Sequence, residues 1–207
     1  MNTEIISIDN PSVLQIAQQV LVNGGLIAFP TDTVYGLAAG IKNIKGIDRL
    51  YDAKLRDLTK AIPILVSSLD QMNQVSQDLP HSAALLAGKL WPGALTLIVP
   101  IRPGLPANIS PTSTIGVRMP DHPFTLALLN YTGPLATTSA NLSGGANTTT
   151  ADEVAQQLSG RIELILDGGK TPGGVPSTVV DCTITPPSIL RQGAISSEII
   201  QAILGQS

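Results

Sequence analysis

Cysteine is nearly absent. Cys182 stands alone, which excludes an internal disulfide framework and any multi-cysteine zinc cage and fits a reducing compartment. Within Val179-Val180-Asp181-Cys182 it reads as a small buried apolar residue. Histidine is scarce too, and His81 and His122 are too far apart for HExxH or an ordinary structural zinc site. Aromatics make up 3% of the chain, so its core must be aliphatic. Charged residues amount to 13% with a net charge of −3, which argues against broad phosphate-backbone binding. No apolar run reaches membrane-span length, and the start, MNTEIISIDN, is acidic rather than a basic-then-apolar leader. These absences predict a cytoplasmic protein with no membrane contact. GxxxxGK[ST] and GxGxxG are both missing, and Ser139 has no nucleophile-elbow context. Walker-type, Rossmann and serine-hydrolase chemistry thereby lose their sequence support.

What is present is a 43% apolar chain of 207 residues, enough for one domain over residues 1–207. Asn10 followed by Pro11 predicts a capped helix that ends at Asn23-Gly24. Leu26 to Phe29 reads as a buried strand, and residues 30–37 as a loop at its carboxyl end. Helical spacing returns from Ile44 to Arg56, near Ser68–Val75 and His81–Leu90, and over Pro123–Asn130. Strands are expected in the 62–66 run, at Leu95–Val99 and Thr114–Arg118, and across residues 134–138. Thr150 with Glu153 forms a capping box for a helix to Leu158. Strands near 162–166, 178–182 and 189–190 follow, then a helix at Ser197–Leu204. The interleaving predicts an α/β (α+β-like) fold, a twisted mixed sheet covered by helices, with ligands beyond the strand ends.

Polar groups gather at three places. Lys54 and Arg56, with Lys60 after them, concentrate cations in a chain with only 12 Lys and Arg. They fit solvated charge or cations at a helix C-terminus, and a triphosphate is the ligand whose charge would use them best. Residues 137–145, Thr-Thr-Ser-Ala-Asn-Leu-Ser-Gly-Gly, follow an apolar run with hydroxyls, an amide and glycines; this is either a turn or a cradle for a nucleotide or amino acid. Arg118 ends an apolar strand, as does Arg191; each is either surface decoration or a bidentate clamp for a carboxylate. Ser177-Thr178 lies behind Gly173-Gly174-Val175-Pro176, a lid or simply a loop. Together these groups suggest an enzyme site for ATP and a small amino acid at element ends.

The residues together resemble the YrdC-like family of threonylcarbamoyl-AMP synthases. Seven segments carry the likeness in order: Phe29 to Leu37, Lys54-x-Arg56, Leu90-Trp91-Pro92-Gly93-x-Leu95-Thr96, Gly116 to Pro123, Ser139-x-Asn141, Ser177 to Asp181, and Ile189-Leu190-Arg191-x-Gly193. The resemblance implies a YrdC-like fold and the joining of L-threonine, bicarbonate or CO2, and ATP into threonylcarbamoyl-AMP with release of pyrophosphate, for modification of tRNA. It implies threonine contacts at Thr31, Arg118, Thr137 and Ser177. ATP contacts fall on Lys54, Arg56, Thr114, Ser139, Asn141, Asn147 and Arg191, with Lys54 and Arg56 as the catalytic pair. It implies Mg2+ carried by the nucleotide phosphates and no metal site on the protein. A tRNA contact and a separate threonylcarbamoyl-transferase complex are the implied partners. The chain departs from the pattern at Asp57 and Gln192, where proline is frequent, and it lacks a histidine that some members carry near Leu65. It resembles the short form of the family. Two rival readings are an RNA-binding module without synthase activity and the carbamoyl-transfer domain of hydrogenase-maturation proteins.

Overall fold

The structure is a computed structural model and describes residues 2–205; the outermost residues of the 1–207 expectation lie outside the described ones. In chain order the elements are β1 (Glu4–Ser7), α1 (Val13–Val22), β2 (Ile27–Phe29), β3 (Gly36–Gly40), α2 (Ile44–Lys54), β4 (Ile64–Leu65), α3 (Leu69–Val75), α4 (His81–Leu90) and β5 (Leu95–Pro100). A 3-10 turn (Ala107–Ile109) precedes β6 (Thr114–Arg118), α5 (Pro123–Thr132), β7 (Leu135–Ser139), α6 (Ala151–Leu158), β8 (Leu164–Asp167), β9 (Thr178–Asp181), β10 (Ser188–Arg191) and α7 (Ser197–Leu204). The strands form one ten-stranded mixed sheet in the order β1-β8-β2-β3-β7-β4-β6-β5-β9-β10.

Period-2 alternation divides the core. Ile27, Phe29, Ala38, Leu164 and Leu166 face the layer formed by α1 and α5, where Val13, Ala17, Leu21, Leu128 and Leu129 bury themselves. Ala28, Leu37, Ala39 and Ile165 face the other way, onto Ile47 and Leu50 of α2, Leu86 of α4, Val154 of α6 and Ile200 of α7. Because α1 packs on β2, β3 and β8, the α1–α5 layer covers one half of its sheet face. On the other half of that face, β7, β4, β6, β5 and β9 carry the cleft described below.

The mixed sheet agrees with expectation, and the bounds of α4, β6 and α7 are those read from the residues. Other boundaries differ for physical reasons. Asn10 does not cap α1: its Oδ1 accepts from the Ser12 N–H at 2.9 Å in a turn around Pro11, and the helix opens at Val13. The segment read as a loop over 30–37 enters β3 at Gly36. Gly-Leu-Ala-Ala-Gly has little strand propensity, and its pairing with β2 and β7 supplies what its side chains do not. β1 was also unexpected, since only Ile6 of its residues is buried. The capping box slides by one residue: Thr150 accepts from the Glu153 N–H at 3.3 Å, while the Glu153 carboxylate accepts from the Thr149 N–H at 2.6 Å.

Candidate functional site

The cleft is built on a sheet face, not beyond strand ends as expected. Alternate residues of five neighbouring strands point into it: Thr137 and Ser139 from β7, Pro63 and Leu65 along β4, Gly116 and Arg118 from β6, Thr96 and Ile98 from β5, and Ser177 and Val179 along β9. Their sequence neighbours Ala136, Ile64, Val117, Leu97 and Val180 point into the core on the opposite side. Loop 30–35 forms one wall, Arg56 and Asn147 stand on another, and Arg191 comes from the edge strand β10. The cavity is about 350 Å³. A larger hollow of about 660 Å³ lies between the end of α1 and the start of α2; among the described residues its charged groups are Lys42 and Lys45, and none of the expected site residues lines it.

Arg118 is 7% exposed and held on three sides. Its Nη2 pairs with the Asp32 carboxylate, Nη1 donates to Thr33 Oγ1 at 3.0 Å, and Nε donates to the Gly93 carbonyl at 3.0 Å. Burial pulls the guanidinium's pKa down, and the Asp32 charge opposes that shift. A guanidinium has more N–H groups than these three acceptors use, so donors remain for a ligand carboxylate. Thr33 and Thr31 are linked in turn. Thr31 Oγ1 donates to the Val34 carbonyl at 2.7 Å, accepts from the Thr33 N–H at 3.1 Å, and lies 3.1 Å from Thr33 Oγ1. Thr137 Oγ1 donates to the Leu135 carbonyl at 3.0 Å. With its proton committed, the Thr137 oxygen offers lone pairs to a donor such as an amine, and Thr31 Oγ1, which already accepts from the Thr33 N–H, has one more to offer.

Ser177 Oγ lies 2.8 Å from Thr96 Oγ1 and accepts from Arg191 Nη2 at 3.3 Å. Arg191 also donates to the Ser177 carbonyl, from Nη2 at 2.9 Å and Nε at 3.2 Å. Arg56 donates from Nη2 to the Ala61 carbonyl at 3.0 Å. Three guanidinium groups therefore surround a space whose lining includes no carboxylate, histidine or cysteine among the described residues. Such a site can bind and orient anions, and it offers no side-chain nucleophile–base pair.

Of the expected site residues, the structure brings Thr31, Arg56, Arg118, Thr137, Ser139, Asn147, Ser177 and Arg191 to one cleft. Thr114 shares the face of Gly116 but lies about 7 Å further along β6, in a separate hollow with Ser113 and Thr183. Lys54 and Asn141 lie beneath the rim, both buried. Lys54 donates to the carbonyls of Ser139 and Asn141, and Asn141 Nδ2 donates to those of Leu142 at 2.8 Å and Gly145 at 2.9 Å. Asp57 closes its turn tightly, Oδ1 accepting from both the N–H and the hydroxyl of Thr59 at 2.9 and 2.8 Å. His122 caps α5, accepting from the Thr125 N–H at 3.4 Å. Reading by residue type missed Asp32, Thr33 and Thr96. For Thr96 the available signal was parity, since it shares the face of Ile98 inside an otherwise apolar strand.

Residues 19–193 match the model of the Sua5/YciO/YrdC family, described as telomere recombination. The threonylcarbamoyl-AMP synthase of Bacillus subtilis is 41% identical over 98% of this chain, and the chain spans 59% of that protein's length. The threonylcarbamoyl-AMP synthase of Marinobacter nauticus is 31% identical, the match covering 83% of this chain and 93% of the relative. Among solved structures, Sua5 of P. abyssi in complex with L-threonine superposes with a TM-score of 0.94 at 38% identity, over 98% of this chain and 61% of that one.

Proposed function

The chain belongs to the Sua5/YciO/YrdC family, and from that premise we propose that it is a nucleotidyltransferase making threonylcarbamoyl-AMP and pyrophosphate from L-threonine, bicarbonate or CO2, and ATP. The observation that carries the reading is the convergence of Arg118, Arg56 and Arg191 with the hydroxyls of Thr31, Thr137 and Ser177 on one sheet face.

In this reading the spare N–H groups of Arg118 hold the threonine carboxylate, fixed in direction by Asp32, Thr33 and Gly93. The oxygens of Thr31 and Thr137 accept from the substrate amine, and Ser177 with Thr96 meets its polar side chain. The neutral amine adds to CO2 and its proton leaves to solvent, which gives a carbamate. A carbamate oxygen then bonds to the α-phosphorus as the bond to pyrophosphate breaks. Arg56 and Arg191 stand where charge builds on the phosphates, and Ser139 and Asn147 contact the nucleotide. The cleft contributes position and charge; holding reactants in attack geometry supplies on the order of 7–11 kcal/mol of barrier lowering. Guanidinium and hydroxyl groups suit phosphate oxygens better than a bare divalent cation, so Mg2+ would be held by the triphosphate rather than by side chains and would neutralise charge there. The mixed anhydride then passes, in the cytoplasm, to tRNA through a separate threonylcarbamoyl-transferase complex.

Incubation with ATP, Mg2+, bicarbonate and L-threonine should yield the threonylcarbamoyl-AMP mass, with L-serine as the specificity control. Strong tRNA binding without threonine- and bicarbonate-dependent pyrophosphate release would overturn the reading in favour of an RNA-binding module.

A further inference from the structure

Of the pair Lys54 and Arg56, only Arg56 lines the cleft. Lys54 is the last residue of α2 and 2% exposed. Leu55 follows in the left-handed region at φ 52°, which turns the chain so that Arg56 faces the cleft while Lys54 points beneath it. Both polar ends of Lys54 then grip one loop. Its Nζ donates to the carbonyls of Ser139 and Asn141, and its own carbonyl accepts from the Ser143 N–H at 2.9 Å. Ser139 ends β7 and lines the cleft; Asn141 and Ser143 belong to the loop that leads on to Asn147.

We propose that Lys54 is a positioning residue that ties the 139–145 loop to the end of α2, so that Ser139 and Asn147 meet the nucleotide in a fixed arrangement, and that it does not touch phosphate. The proposal rests on the reading of this cleft as a nucleotide site. The carbonyls of Ser139 and Asn141 are acceptors at the base of the loop; they take two of the three N–H groups of an ammonium that is buried beneath the cleft and does not line it. The amine's state fits the same role. Burial, with Arg56 second, pushes Lys54 down to about 7. Near neutral pH the amine is then protonated only part of the time, and both of its forms have N–H groups for two carbonyls.

Two measurements test the tether. In the wild-type protein, acylation of lysines by a small amine reagent, read residue by residue by mass spectrometry, should be fast at the exposed Lys42, Lys45 and Lys60 and slow at Lys54. Lys54 should stay equally slow with and without ATP·Mg2+. Rapid labelling of Lys54 in the free protein, with protection by ATP, would overturn the proposal. The second measurement compares Lys54→Gln, which keeps two N–H donors without charge, with Lys54→Met, which keeps neither. Lys54→Met should raise amide exchange across residues 139–145 at least about tenfold with no ligand present, and should raise KM for ATP more than it lowers kcat. Lys54→Gln should recover most of both effects. Equal loss of ATP use in the two variants, with the loop's exchange unchanged, would assign Lys54 to phosphate instead. The labelling and exchange readings need no turnover, so failure of the adenylation reading and failure of the tether remain distinct results.

Discussion

Arg118 and Asp32 form a pair whose side chains are 9% and 12% exposed. Removing one partner of such a pair leaves a stranded charge at a cost of about 3–5 kcal/mol, so Arg118→Ala would confuse folding with binding. Arg118→Lys keeps the charge opposite Asp32 and loses the planar fork. It should lower kcat/KM for threonine about 100-fold or more, the scale of losing an oriented charged donor, with KM for ATP nearly unchanged. Arg56→Ala should do the reverse, because Arg56 stands away from the carboxylate clamp; steady-state kinetics with each substrate varied separates the two, and equal losses in both would sink the division of roles. Residue chemistry read from sequence reached Arg118 and the hydroxyls, since a guanidinium or a run of Thr and Ser is conspicuous among aliphatic residues. It could not reach what fixes them. Asp32 and Thr33 meet Arg118 across sequence separations of 86 and 85 residues, which no local pattern encodes.

At the scale of elements, the apolar runs of the buried strands were legible, and so was the helix start that Thr150 caps. β3 was not, because its small residues gain their pairing from β2 and β7. The cleft's place was also hidden: deciding which strands leave a face uncovered requires knowing where α1 and α5 pack. The turn after α2 is a further case. Leu55 N–H reaches the Asp52 carbonyl at 3.2 Å and Arg56 N–H the Tyr51 carbonyl at 2.9 Å, a helix stop usually given to glycine, yet the left-handed residue here is a leucine 68% exposed. A left-handed non-glycine residue costs roughly 1–2 kcal/mol, and glycine returns part of that through its looser unfolded chain. Leu55→Gly should therefore raise stability by about 0.5–1 kcal/mol, read as a higher urea midpoint at constant m. A lower midpoint would mean that the exposed Leu55 side chain makes a contact that matters to the fold.

For the whole molecule, the half-covered sheet lets one fold keep a rigid aliphatic core on one side and a polar cleft on the other, and buried titratable groups link that arrangement to pH. Lys54 has an ordinary value of 10.5 and sits at about 7, chiefly through burial. Between those values the unfolded chain binds more protons than the folded one, so stability rises as pH increases above 7. Cys182 and Tyr35 act oppositely. Burial raises the thiol from 9.0 to about 11 and the phenol from 10.0 to about 12. Their contribution is therefore complete below the unfolded values and is lost as pH climbs past them. Urea midpoints taken in steps from pH 6.5 upward should climb from about pH 7 toward 9 and then fall. Lys54→Met, whatever its offset, should flatten the climb and keep the alkaline fall, because Cys182 and Tyr35 are untouched. A climb of the same slope in that variant would remove Lys54 as its source and would mean that its amine keeps its proton through this range.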